Sequence, residues 1–247
     1  MAFVAGCRSR TTPQKTPVVP ASLAQDAGRE GERRLAVDAS RLCVTSGSVE
    51  PIDATSFAVR VPGFRAFVAG DDGRTATVDF VYRGPTKTTS KLASGELRRQ
   101  VGLKLRAQDT CNVLYVMWHI EPTAGVFVSV KYNPGQSTHA MCSDRGYVTV
   151  KPVHGQPPKA PFPGERHSLS AAIEGDLLRV FADDVLAWEG ALPPQAFRID
   201  GPAGIRTDNA ELDVELRTPG GLAKASCPNV PATGHTPSRH GDDAARR

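Results

Sequence analysis

Gln100, Lys104 and Arg106 recur at even spacing in one short segment, Tyr115 and His119 in the next, and Phe127, Ser129 and Lys131 in a third. Side chains on a β-strand alternate between faces with a period of two, so each set falls on one side of its strand. Together these residue types suit a polyhydroxylated ligand. A Tyr115 or Phe127 ring offers a flat apolar surface for a sugar face, and Gln100 and Arg106 are planar donors matched to pairs of hydroxyls. The cations Lys104, Arg106 and Lys131 would suit an acidic glycan, because a guanidinium grips a carboxylate through two parallel bonds. The competing reading is an ordinary solvated sheet face.

Three strands must carry these groups, and their other faces say how. Val101, Leu103 and Leu105 alternate with the first set, Leu114, Val116, Trp118 and Ile120 with the second, and Val126, Val128 and Val130 with the third. Each strand therefore has one aliphatic face, to be buried, and one mixed polar and aromatic face. Trp118 belongs to the buried side. Upstream, residues 56–61 and 75–82 alternate in the same way around the turn-rich 69–73. Downstream come a turn at 133–135, a strand at 146–151 and a Pro-rich loop at 152–164. The stretch 167–190, HSLSAAIEGDLLRVFADDVLAWEG, then reads as three strands joined by Gly175-Asp176 and Asp183-Asp184. Both are two-residue loops of the residue types that tolerate positive φ. Strands at 203–207 and 210–217 bring the total to about eleven with no convincing helix, which predicts an all-β fold, a two-sheet antiparallel sandwich rather than a barrel.

Composition bounds the rest. The 247 residues are 40% hydrophobic and 23% charged with a formal net charge of +4, enough for one all-β domain. Much of the positive excess lies near the ends, and no basic helix or aromatic-studded basic motif points to nucleic acid. No apolar run reaches the roughly 18 residues of a membrane-spanning helix. Residues 8–38 are rich in Thr, Pro, Gln, Ala, Gly and Arg without apolar periodicity, so residues 1–40 are expected to form a disordered tether, 41–227 the sandwich and 228–247 a disordered tail. Val4-Ala5-Gly6-Cys7 resembles a lipobox, in which the cysteine receives lipid; only six residues precede Cys7, fewer than the apolar stretch of about 7 to 15 in a secretory signal, so this reading expects a start further upstream. The other cysteines, Cys43, Cys111, Cys142 and Cys227, form an even set with three possible pairings. The reversal of the chain between the strand at 111–120 and that at 126–132 brings it back to the Cys111 end, which favours Cys111 with Cys142. Cys43 with Cys227 would then tie the ends of the domain. Such bridges imply a secreted or cell-envelope protein.

The run His167-x-Leu169-x-Ala171-x-Ile173-x-Gly175-x-x-Leu178-x-Val180, then Asp183 or Asp184, Trp188-x-Gly190 and Gly201-Pro202-Ala203-Gly204-Ile205-Arg206-Thr207-Asp208, resembles the closing strands of the concanavalin A-like lectin and glucanase superfamily. The likeness lies nearest its laminin-G-like and keto-disaccharide-hydrolase-like members and covers about residues 75–217. It implies a jelly roll with one convex and one concave sheet, and a non-catalytic carbohydrate-binding surface on the concave one. Glu211-Leu212-Asp213-Val214-Glu215 also matches the E-x-D-x-E signature of laminarinase-like glycoside hydrolases, in which the two glutamates are nucleophile and acid/base. Here it falls on the final strand, where the superfamily places a structural strand, and the alternating Leu212, Val214 and Leu216 explain it without chemistry. The outer two Cα atoms would lie about 13 Å apart. No cofactor is expected. His119, His139, His154 and His167 lack zinc spacing, and Asp71-Asp72-Gly73, Asp183-Asp184 and Asp208-Asn209, which could offer oxygens to a structural calcium, read first as turn chemistry.

Overall fold

The computed structural model describes residues 35–219 and Cys227. Cys7, the expected tether before residue 35 and the expected tail after residue 227 lie outside the described residues. Alternation of apolar and polar side chains sets the elements in between. They are β1 (Leu35–Ala36), β2 (Leu42–Ser46), β3 (Glu50–Pro51), β4 (Ser56–Val59), β5 (Gly63–Val68), β6 (Thr75–Pro85), β7 (Arg99–Leu105), β8 (Val113–Glu121) and β9 (Gly125–Lys131). A four-residue helix, α1 (His139–Cys142), follows, then β10 (Tyr147–Val150), β11 (Arg166–Glu174), β12 (Leu177–Ala182), β13 (Val185–Ala191), β14 (Gly204–Asp208) and β15 (Ala210–Thr218).

Two antiparallel sheets result. One runs β13-β12-β11-β6-β15-β4-β3 with β1 also on β15, and the other runs β10-β9-β8-β7-β14-β5-β2. From β4 onward the chain passes repeatedly between the sheets, the two-sheet antiparallel sandwich that the concanavalin A-like resemblance implies. The aliphatic faces of β7, β8 and β9 turn inward as alternation requires and join Val78 and Phe80 of β6, Leu169 and Ile173 of β11, and Leu212, Val214 and Leu216 of β15 in one apolar cluster. Each such side chain contributes about 1.5–3 kcal/mol by leaving water. Trp118 is 1% exposed; its indole meets Phe80 edge-on at 5.7 Å between ring centres and donates from Nε1 to the Lys159 carbonyl at 3.1 Å. That bond pins the Pro-rich loop to the end of the core.

The β11–β13 meander forms through turns of the expected chemistry, with positive φ at Gly175, Asp183 and Asp184. Its second turn is locked from outside: Asp183 accepts from the Ser168 backbone N–H at 2.8 Å and faces His167 Nδ1 at 2.8 Å. The sandwich begins ahead of position 41, because β1 pairs with Arg217 and Thr218 and the Val37 N–H donates to the Leu216 carbonyl at 2.8 Å. Sequence alternation gives no strand over β5, whose outward Phe67 breaks the polar–apolar rhythm and which follows β4 after only Arg60, Val61 and Pro62. Both expected disulfides are present, Cys43–Cys227 and Cys111–Cys142. The second closes a loop over a sequence separation of 31, and in the chain-entropy account it stabilises the fold by about 4 kcal/mol. It also fixes α1 beside the start of β8.

Candidate ligand-binding site

Register across the seven-stranded sheet decides which side chains meet on its outer face. Gln100 lies opposite His119, Gly102 opposite Met117 and Lys104 opposite Tyr115. On the next strand Met117 faces Phe127 and Tyr115 faces Ser129. On the other side of β7, Arg206 pairs with Gly102 and Asp208 with Gln100, and Arg206 in turn lies opposite Arg65 of β5. The structure thus gathers Gln100, Lys104, Tyr115, His119, Phe127 and Lys131 on one face, as their spacing predicts.

Arg106 does not join them. β7 ends at Leu105, and Arg106 adopts φ 49°, which breaks the alternation and turns the side chain away. Its Nε donates to the Ile199 carbonyl at 2.6 Å, and a guanidinium nitrogen lies 3.8 Å from Asp200. The guanidiniums of the face come instead from Arg206 and Arg65, which the sequence reading did not select. Arg206 sits in the Gly201–Asp208 run, to which the family resemblance gives an architectural part, and Arg65 lies on β5, where the alternation gives no strand.

Asp208 is the hub of the face. Its Oδ1 accepts from Arg65 at 2.5 Å, and its Oδ2 accepts from Arg206 Nε at 2.9 Å and from the Gln100 amide at 2.6 Å. Burial pushes its carboxyl up, but Arg206, Arg65 and the Gln100 bond together hold it below the usual carboxylate range. Arg206 lies over the Tyr115 ring at 4.8 Å, and Tyr115 stacks on Tyr147 of β10 at 6.2 Å. Burial and the neighbouring Tyr115 raise the Tyr147 phenol to about 12. His119 stacks on Phe127 at 4.1 Å; burial, then the charges of Arg98 and Arg206, lower the imidazole to about 3, so it is neutral at ordinary pH.

The two lysines differ. Lys131 donates to the Ser143 carbonyl at 2.6 Å and the Thr110 carbonyl at 3.3 Å, closing the α1 segment onto the loop before β8. Lys104 is 5% exposed, and among the described residues its ammonium has no hydrogen-bond acceptor. Gln100 is 1% exposed and its Oε1 is likewise unpartnered. On the same face Phe127 of β9 and Tyr147 of β10 are more open, 40% and 42% exposed. A hollow of about 410 Å³ opens at the loop end, lined by Asp109, Asn112, Tyr132, Gln136 and Arg198 among others. Its Asp109 carboxylate is occupied in holding the loop, accepting from the Cys111 and Asn112 backbone N–H groups and the Asn112 side chain.

Glu211, Asp213 and Glu215 lie on the other sheet, on the opposite face of β15 from the buried Leu212, Val214 and Leu216. Asp213 bonds Arg60 and Arg83, Glu211 lies 4.0 Å from Arg60 and Glu215 is 2.7 Å from Arg217. Burial raises the Asp213 carboxyl, but the bonds from Arg60 and Arg83 outweigh it and leave it low, the opposite of what a general acid requires. The turn acids are also engaged: Asp71 accepts from the Gly73 and Ala203 N–H groups, and Asp183 and Asp208 have the partners given above. Among the described residues no three His, Cys, Asp or Glu side chains gather as a metal would need.

No family model matches the chain, and no curated protein does. It is similar to several solved structures. One is the carbohydrate binding module CBM66 from Bacillus subtilis, at 14% identity and a TM-score of 0.48 over 71% of this chain and 92% of that one. Another is the Emp46p carbohydrate recognition domain, at 9% identity and a TM-score of 0.44 over 74% and 90%. A third is SCLam, a non-specific endo-beta-1,3(4)-glucanase from family GH16, at 11% identity and a TM-score of 0.43 over 74% and 86%.

Proposed function

We propose that the protein is a non-catalytic carbohydrate-binding module that holds a glycan on the outer face of its seven-stranded sheet. The observation that carries this reading is the make-up of the face: exposed Phe127 and Tyr147 rings on β9 and β10 and, farther across the same sheet on β7, buried Lys104 and buried Gln100, whose Oε1 no described group satisfies. Rings of this kind stack on the apolar face of a sugar, and a few placed polar groups fix its hydroxyls. A glycan array, followed by titration of each hit, tests it. Binding to at least one glycan class is expected, and Phe127→Ala with Tyr147→Ala should weaken it about tenfold, the size of one to two stacking contacts. Both rings are partly exposed, so the fold tolerates their loss. A blank array, or binding indifferent to the double variant, overturns the reading.

The two disulfides support a secreted or cell-envelope setting, since such bridges persist in oxidising compartments. In this reading the module is tethered through lipid on Cys7. Mass spectrometry of the protein from its native cells should find an acyl-modified Cys7 that is lost in Cys7→Ser; an unmodified Cys7 in the mature protein removes the anchor from the proposal.

A further inference from the structure

The charges on the face do not balance. Among the described residues it carries the cations Arg65, Lys104, Lys131 and Arg206 and one carboxylate, Asp208, which Arg65 and Arg206 share. Lys131 has two carbonyl acceptors. Lys104 has none among the described residues, and it is only 5% exposed: it lies near the end of β7, between Tyr115 and Gly204 of the adjoining strands. An unpaired cation in such a place is costly, and an apolar residue of similar length would fill it at lower free energy. Beside it on β7, Gly102 lies between Gln100 and Lys104 and opposite Arg206. A Cβ there would come within 2.2 Å of the Val116 carbonyl oxygen and 2.8 Å of Met117 Sδ, so the strand pairing and the Met117 side chain leave no room for one.

We propose that the ligand is an anionic sugar, whose oxyanion, a carboxylate or a sulfate ester, binds Lys104 beside the Arg206 and Arg65 guanidiniums while a ring hydroxyl donates to Gln100 Oε1. The proposal rests on the carbohydrate-binding reading and names the class of glycan it requires. An oxyanion is the group that three clustered cations with one internal counter-ion lack, and a hydroxyl is the donor that the buried, unpaired Gln100 oxygen lacks. The charged and titratable groups on the elements around Lys104 are Arg65, Arg206 and Asp208, Tyr115 and His119, and the loop residue Asp109. Burial, then Arg65 and Arg206, lower the Lys104 amine to about 7, with Asp109 opposing. At pH 8 much of it is therefore neutral, and an incoming anion draws one proton from solvent onto Nζ.

Isothermal titration calorimetry on the full chain tests this, with trigalacturonate, its methyl ester and a sulfated oligosaccharide as probes at one ionic strength. At least one anionic probe should bind about 10- to 100-fold more tightly than the uncharged ester, the range of a charge-assisted hydrogen bond. Lys104→Met should remove that preference, bringing the acid down to the affinity of the ester for the same variant. Wild type, but not Lys104→Met, should take up protons at pH 8 in buffers of differing ionisation enthalpy. Lys104→Gln with circular dichroism guards against a merely misfolded variant. A sulfated probe that binds while trigalacturonate does not keeps the proposal and selects its source. Equal binding of acid and ester, a preference that survives Lys104→Met, or binding of neutral array hits alone overturns it and leaves the carbohydrate reading standing, whereas a blank array removes both.

Discussion

Asp208→Asn is expected to destabilise the sandwich by about 3–5 kcal/mol, as removing one partner from a buried ion pair does. Asparagine keeps the shape and volume of the side chain and loses only its charge. That charge lies on a side chain 3% exposed and is shared by two guanidiniums whose side chains are 23% and 11% exposed. Without it, two adjacent cations from β5 and β14 face each other across the sheet with no counter-ion, and Lys104 lies beside them. Asp213→Asn is the matched control. Its partners Arg60 and Arg83 are 33% and 47% exposed, so solvent screens them and the loss should stay within about 1 kcal/mol. Urea unfolding at pH 7 separates the two; a loss below about 1 kcal/mol for Asp208→Asn would show that the hub contributes no more than a surface pair. The acid limb gives a second check. The folded carboxyl of Asp208 is held below its unfolded value, so its contribution is present above the ordinary carboxylate range and is lost as pH falls through the lower, folded value. In Asp208→Asn that part of the acid limb should be absent.

The strands and the site differ in how far local sequence specifies them. Residues 113–120 alternate without a break, and both faces of β8 lie where that rhythm puts them, down to Trp118 in the core and His119 on the face. Turn chemistry at Gly175-Asp176 and Asp183-Asp184 is equally local, and so is the chain reversal that brings Cys111 to Cys142. The hub is not local. Arg206 and Asp208 share a face of β14, but Arg65 and Gln100 reach them only because β14 inserts between β7 and β5, and neither arginine differs in its own segment from any polar residue on a strand. Arg106 shows the converse failure: period two holds only while the strand does, and one left-handed residue removes it. What distinguishes Lys104 from Lys131 is still less local. Both are outward lysines in good strands, and only the folded loop supplies Ser143 and Thr110 carbonyls to one of them.

The pH dependence of stability should therefore run in an unusual direction for the ligand-free protein, rising toward the alkaline side. The Lys104 amine titrates near 7 in the fold and near its ordinary 10.5 when unfolded. Between those values the unfolded chain binds the extra proton, so stability rises with pH across that window, by roughly 5 kcal/mol in all from this group, and is flat in this term below it. His119 acts in the same sense at lower pH: its imidazole titrates near 3 folded against 6.5 unfolded, so stability also climbs through that acidic window. The trend reverses above about pH 10, where the unfolded Tyr147 phenol loses a proton that the folded one, raised to about 12, retains. Urea unfolding at pH 6, 8 and 10 reads the alkaline window, and Lys104→Met isolates its cause. That variant should be more stable than wild type at pH 6 and show no rise between pH 7 and 10. A wild type whose stability is unchanged over that interval would mean that Lys104 keeps its proton and has a counter-charge in the folded protein. An anion that pairs with Lys104 removes the same penalty, so a saturating anionic oligosaccharide should raise stability more at pH 6 than at pH 10, an asymmetry that a neutral ligand stacking on Phe127 and Tyr147 has no means to produce.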